Sequence, residues 1–233
     1  MPNFNIVRKT ELSNSYRVQG TIDRFTMDDE KFEHNFKGNI DLPEDWNVGV
    51  IVGASGTGKT TVGKEVFADD YIVDFEYKEQ SVMDDMPKEC SLDDIHRAFT
   101  SVGFASPPDW VKPYSVLSNG QKMRVDLARA LLEDRDMVAF DEFTSVVNRE
   151  VAKTGSLAIQ KAVRRSNKKF IAIAVHRDIL DWLQPDWVFD TDTFTFHVKK
   201  KVNGKDQILN WKYLKHQRTG NNSFGNPCQS III

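Results

Sequence analysis

The rhythm of apolar and polar residues changes along this chain. Over residues 1–47 the two alternate in short pieces, as in Tyr16-Arg-Val-Gln-Gly-Thr-Ile22, with no sustained helical period, which predicts short antiparallel strands and turns. At Val48 an unbroken apolar run begins, Val48-Gly-Val-Ile-Val52. A glycine-rich loop follows it, and then a stretch in which Val62, Val66 and Phe67 share one helical face, so the segment reads as strand, loop, helix. Tyr71 to Phe75 reads as another strand. Ser91 followed by Asp94 has the form of a capping box, and Leu92, Ile95, Phe99 and Val102 recur at helical spacing until Gly103 can end the helix. A loop at Pro107-Pro108 comes next.

Residues 119–133 read as a helix, Met137 to Phe140 as a buried strand, about 150–166 as a helix and Phe170 to Val175 as a second buried strand. Helices alternating with fully apolar strands predict a mostly parallel sheet covered on both faces. After Trp187 the chain returns to short strands, with Asn203-Gly204 a type I′ hairpin signal between Val202 and Lys205. The last dozen residues, rich in Asn, Ser and Gly, look loosely held. At 233 residues there is room for one α/β domain and a small appendage, and with 40% hydrophobic residues a sizeable core needs no staple.

Charge changes little in this picture. The 31 Lys and Arg stand against 34 Asp and Glu, so any nucleic-acid or membrane-surface contact has to be local. Cys90 and Cys228 match no zinc spacing and no CxxC pair, which fits a reducing cytosol. No apolar run approaches the ~18 residues of a span and no secretory leader is visible, so the chain is expected not to insert in a membrane.

Three segments carry chemistry. Gly53-Ala54-Ser55-Gly56-Thr57-Gly58-Lys59-Thr60, with Thr61 beyond it, satisfies the P-loop pattern between a strand and a helix. There glycines let backbone N–H groups curl around a phosphate, Lys59 reaches the β- and γ-phosphates, and the Thr60 hydroxyl can ligate Mg²⁺. Asp141-Glu142 directly follows the strand Met137 to Phe140. A carboxylate at that end of a parallel strand lies across the phosphate crevice, where Asp141 can hold Mg²⁺ and leave Glu142 to polarise water; alone, such a pair is also what a solvated helix start looks like. Leu117-Ser118-Asn119-Gly120-Gln121 opens a helix, and its serine, glycine and free N–H groups make a second anion site beyond what an ordinary serine cap requires.

That pentapeptide resembles the LSGGQ signature of the ABC ATPases, with Asn119 at a usual glycine. The order P-loop, signature, Asp-Glu pair resembles the same family over about residues 15–200. The resemblance implies an α/β P-loop NTPase core of ABC type with an N-terminal antiparallel β subdomain (1–47) and a shortened helical signature subdomain (76–135). The ATP-binding domain would span 1–205, with a basic, loosely ordered tail at 206–233. It implies ATP and Mg²⁺ as cofactors, and catalysis by Lys59, Glu142 and His176, the last resembling the family's switch histidine. It further implies metal placement by Thr60, Asp141 and a Q-loop glutamine for which Gln80 is the candidate, although a surface glutamine reads the same way. Phe143 to Asn148 occupies the D-loop place, where the family more often has proline after the glutamate and aspartate at position 148. An adenine-stacking aromatic should come from the N-terminal part, and Phe25 is one candidate.

The family's architecture implies a homodimer in which Ser118 and Gly120 of one copy close on the P-loop nucleotide of the other. The segments 53–60, Val102 to Pro108, Glu142 to Val147 and Asp181 to Trp187 after His176 resemble an ABC group of phage and prokaryotic genomes, sometimes fused to an acetyltransferase-like domain. That places the chain in the cytoplasm, a host's if phage-encoded. Three partner classes stay open. Lys199-Lys-Lys201, Lys205, Lys212, Lys215 and Arg218 with Trp211 and Tyr213, plus Arg164-Arg165 and Lys168-Lys169, suit nucleic acid. A membrane transporter needing an energy-supplying subunit is the second, and a separately encoded acyltransferase-like, DNA-modification or defence protein the third.

Overall fold

The computed structural model describes residues 3–27, 33–202 and 205–208. In chain order the strands are β1 (Asn3–Lys9), β2 (Glu33–Asn39), β3 (Val48–Val52), β4 (Tyr71–Ile72), β5 (Met137–Phe140), β6 (Lys169–Ala174), β7 (Trp187–Asp190), β8 (Thr195–Val202) and β9 (Lys205–Ile208). The helices are α1 (Tyr16–Phe25), α2 (Lys59–Val66), α3 (Leu92–Ser101), α4 (Pro107–Trp110), α5 (Asn119–Leu132), α6 (Arg149–Val163) and α7 (Ile179–Leu183).

Seven strands form one sheet in the order β4-β5-β6-β3-β7-β8-β9, parallel from β4 to β7 and antiparallel beyond. The central strand β3 is buried at every position, and β6 is apolar from Phe170 on, because both faces are covered. Val48, Val50, Val52, Phe140 and Ala172 enter one core with Phe99 of α3, Leu127 of α5 and Ile159 of α6. Ile51, Ala139, Ile171 and Ile173, offset by one residue, enter the other with Val62, Phe67, Trp46 and Trp187. β1 and β2 make a separate antiparallel ribbon. It is fastened to the large sheet by Phe4 edge-on to Phe189 and by Phe36 stacked on Phe194, with centroids 5.7 and 5.9 Å apart.

The capping box at Ser91 forms as expected, and Gly103, with φ of 80°, follows the end of α3. Three local expectations are corrected. Tyr16 to Ile22 is helical: Ser15 caps the first turn by accepting from Val18 N, Thr26 closes the last in the left-handed region, and Val18 and Ile22 repeat at helical as well as strand spacing. Tyr71 to Phe75 keeps only Tyr71–Ile72 as strand, because β5, its one neighbour in the sheet, pairs with those two residues alone. Pro107-Pro108 begins one helical turn, where the missing N–H groups cost nothing. The Asn203-Gly204 turn and the tail from residue 209 lie outside the described residues, although Val202 does pair antiparallel with Lys205.

Candidate functional site

The loop leaving β3 turns through Gly56 and Gly58 in the left-handed region, with φ of 82° and 91°. Gly58 is further restricted because a Cβ there would come within 2.5 Å of the Phe36 ring. Glycine therefore satisfies the backbone and the packing at once. α2 starts immediately afterwards, so its unpaired N–H groups face the loop's concavity. A cleft of about 320 Å³ opens between this loop, the acidic loop after β5 and the β1–β2 ribbon. Ser55, Gly56, Gly58, Lys59, Thr60 and Thr61 line it from one side, and Asp141 and Glu142 face them.

Lys59 is buried and its Nζ donates to Ala54 O at 2.6 Å. Burial pulls its pKa down, against the pull of Asp192, Asp141 and Glu142. The Thr60 hydroxyl donates to Asp141 Oδ2 at 2.8 Å, and the Tyr71 hydroxyl donates to the same oxygen. Glu142 N donates to Asp141 Oδ1 at 2.9 Å. Asp141 stands at the end of β5, one strand removed from β3, with β6 between them. The acidic loop is tied to both neighbours, Asp141 N donating to Ile72 O and Phe143 N to Ile173 O, each at 2.9 Å. Glu142, between these ties, and Thr144, just beyond them, adopt φ of 55° and 64°. Two non-glycine residues held left-handed cost on the order of 1–3 kcal/mol each, a strain that leaves the Glu142 side chain exposed at the cleft.

Behind the loop, away from the cleft, lies a second network. Ala54 N donates to Asp192 Oδ1 at 2.7 Å, and the Thr57 hydroxyl pairs with Thr191 Oγ1 at 2.6 Å and donates to Ala54 O. Gly53, Ala54 and Thr57 belong to this side. The Arg177 guanidinium forks onto Asp190 at 2.7 and 2.9 Å and reaches Asp192 at 2.6 Å, with Arg177 and Asp190 both buried. His176, just past β6, is half-buried and sits beside Val175, which lines the cleft. Two charged anchors follow it directly in the chain: the next residue, Arg177, holds Asp190 and Asp192, and Asp178 is gripped by Arg149, Nε to Oδ2 at 2.8 Å.

The signature segment lies away from its own chain's cleft. Leu117 is buried, while Ser118 and Asn119 are exposed. Ser118 and Gln121 exchange both bonds of a capping box at the start of α5, and Gln121 also donates to Asp109. Gly120 packs on Val151 of α6, where a Cβ would stand 3.1 Å from Cγ1. Asn148, the departure at the D-loop place, caps α6 by accepting from Val151 N at 2.9 Å. Phe143, the other departure, is buried edge-on to Phe140 and Phe170. Gln80 is exposed and does not line the cleft. Phe25 is 64% exposed on α1 and does not line it either.

The aromatic that does face the cleft is Phe36 on β2, stacked with His34, and Arg8 joins them from the opposite register position on β1. Alternation alone marks these as ribbon residues; which face meets the P-loop depends on how the ribbon lies on the sheet. Tyr71 and the Arg177 network were likewise missed, because each joins residues far apart in the chain.

Oxygen donors, one carboxylate and one hydroxyl within 2.8 Å of each other, are the set that Mg²⁺ takes when phosphates supply further ligands. Among the described residues no group of three His, Cys, Asp or Glu side chains forms a metal cage, and no helix is long and apolar enough to cross a membrane.

No protein-family model matches the chain. A stretch of 76 residues, 33% of the chain, is 37% identical to an ABC-type transporter MDR1 of Aureobasidium melanogenum, of which it spans 6%. The structure of a bacterial Atm1-family ABC exporter with ATP bound is similar with a TM-score of 0.51 and 19% identity, over 62% of this chain and 32% of the exporter chain. The dimeric structure of MJ0796, a bacterial ABC transporter cassette, is similar with a TM-score of 0.50 and 12% identity, over 67% of this chain and 87% of that one. Together with the P-loop, acidic-pair and signature geometry, these likenesses give the chain the fold of an ABC ATPase cassette: a P-loop α/β core carrying an antiparallel ribbon at one end and a short helical signature region at the other.

Proposed function

We propose that this chain binds ATP with Mg²⁺ and hydrolyses it, two copies closing face to face over two nucleotides. The observation that carries the reading is the Thr60–Asp141 hydrogen bond at the mouth of a cleft that also presents Lys59 and Glu142. Mg²⁺ held by Thr60 and Asp141 would draw charge from the β- and γ-phosphates. Lys59, released from Ala54 O, is the cation for the same oxygens, and the exposed Glu142 carboxylate orients and accepts a proton from the attacking water. His176, just past β6 and ahead of the anchored pair Arg177 and Asp178, is the residue assigned to the γ-phosphate. Phe36 offers a stacking face for the base, replacing Phe25 in that role, and no metal role is carried forward for Gln80.

The pairing of copies is supported by the exposure of Ser118 and Asn119 away from their own cleft, and by the likeness to a cassette whose structure is dimeric. Glu142→Gln removes the proton acceptor and keeps the shape, so ATP should hold that variant as a dimer on gel filtration while ADP leaves it monomeric. Only monomers with ATP would sink the proposal.

A second reading is favoured by the similar proteins, which are transporters or a transporter cassette: the chain supplies energy to a membrane transporter built from other chains. Purification with a multi-span membrane protein would support it. The nucleic-acid reading loses several of its cations to internal work. Arg164 bonds Gln184 O and Asp186, Lys168 bonds Glu133 O and Arg135 O, and Lys169 lies 5.2 Å over the Trp46 ring. The acyltransferase-like partner and the phage-type group rest on the sequence segments alone.

A further inference from the structure

Asp141 has a partner that no P-loop pattern specifies. Tyr71 opens β4 at the edge of the sheet, paired with Ala139 on β5. Its ring lies against α2 at Gly63, where a Cβ would come within 3.1 Å of the ring and 2.5 Å of Ile173 Cδ1. Glycine inside a helix costs about 0.5–1 kcal/mol relative to alanine, and here it leaves the space that the ring and Ile173 share. Lys64 Nζ sits 5.4 Å from the centroid of the same ring. Held in this way, the phenol points at Asp141 Oδ2, the oxygen that also accepts from Thr60, while Oδ1 accepts from Glu142 N. A ring needed only to fill the sheet edge would do so equally well as phenylalanine. What the hydroxyl adds is a donor that fixes the plane of the carboxylate.

We infer that Tyr71 is a positioning residue for the divalent cation: through its hydroxyl it holds Asp141 in the orientation shared with Thr60, and so sets the affinity of the nucleotide-loaded chain for Mg²⁺. The inference rests on the ATPase reading above. Loss of an outer-shell partner that orients a metal ligand lowers metal affinity about 10–100-fold. A uniform binding role would instead weaken nucleotide and metal together.

The test uses Mn²⁺ as a paramagnetic probe, titrated into the full chain with the slowly cleaved analogue AMP-PNP and followed by electron paramagnetic resonance. Tyr71→Phe should raise the Mn²⁺ dissociation constant about 10–100-fold, with AMP-PNP affinity in EDTA and the urea midpoint unchanged. Lys64→Met, which alters the ring's neighbour and keeps the phenol, should match the wild type. Unchanged Mn²⁺ affinity in Tyr71→Phe overturns the inference and leaves the ATPase reading standing. An equal loss of AMP-PNP binding in EDTA, or a variant that fails to fold, overturns it by assigning Tyr71 to the scaffold. A wild type that takes up neither AMP-PNP nor Mn²⁺ overturns both.

Discussion

Asp126 lies on α5, the helix that Ser118 caps, and is enclosed by two tyrosines. Tyr77 OH donates to Oδ1 at 2.8 Å and Tyr114 OH to Oδ2 at 2.9 Å, the two rings stacked with centroids 3.8 Å apart. Burial raises its pKa from 3.8 to about 6, helped by Asp74 and opposed by the two hydroxyl bonds and by Arg129. In the unfolded chain the group titrates near its ordinary value. Between about 4 and 6 the folded chain therefore holds a proton that the unfolded chain has released, and stability falls as pH rises through that window. At about 1.4 kcal/mol per pH unit, the gap amounts to ~3 kcal/mol, lost by pH 7 and regained only below pH 4. For a chain of this size that corresponds to a melting shift of roughly 6–12 °C. Urea unfolding of the wild type and of Asp126→Asn across pH 4 to 8 isolates the effect, because every other carboxylate cancels in the difference. The Asn variant should gain on the wild type as pH rises to 6 and hold a constant lead above it. A flat difference, or a lead that grows toward acid, would refute the assignment of a buried proton to this site.

Two further outcomes follow from the same geometry. Arg177→Met leaves Asp190 buried without its cation and should lower stability by about 3–5 kcal/mol in urea unfolding, with Arg177→Lys recovering only part because an ammonium cannot fork; a loss under about 1 kcal/mol would contradict the burial argument. Phe36→Ala should weaken nucleotide binding by about 1–3 kcal/mol in calorimetry, while Phe25→Ala leaves it unchanged, and the reverse pattern would return the stacking role to α1.

What could be read from sequence was local and strongly patterned. The runs Val48 to Val52, Met137 to Phe140 and Phe170 to Ala174 are apolar throughout because both faces of their sheet are covered, and the capping boxes at Ser91 and Ser118 advertise their helices. The P-loop and Asp141-Glu142 were legible for the same reason: each is a short contiguous string whose chemistry needs those residue types. α1 escaped because Tyr16, Val18, Gly20 and Ile22 suit a strand, while the spacing of Val18 and Ile22 suits a helix equally. Its cap at Ser15 decides between them, and no buried residue on it helps. Phe36, Tyr71 and Arg177 escaped for another reason. Each acts across a distance the chain closes only on folding, Phe36 to Gly58, Tyr71 to Asp141 and Arg177 to Asp190, so that nothing in the neighbouring residues announces the partner.

The carboxylate that grips Ala54 from behind has a bearing on how the cleft works. Asp192 holds that amide, and Arg177 holds Asp192 at the residue next to His176. Fixing a backbone residue costs roughly 1–2 kcal/mol of entropy, and for a loop braced from its outer side that loss is incurred during folding, before any guest arrives. A wall made stiff in this manner behaves as an anvil: under the proposed function, a triphosphate would meet a backbone curve already set, with the Lys59 side chain left to move toward it.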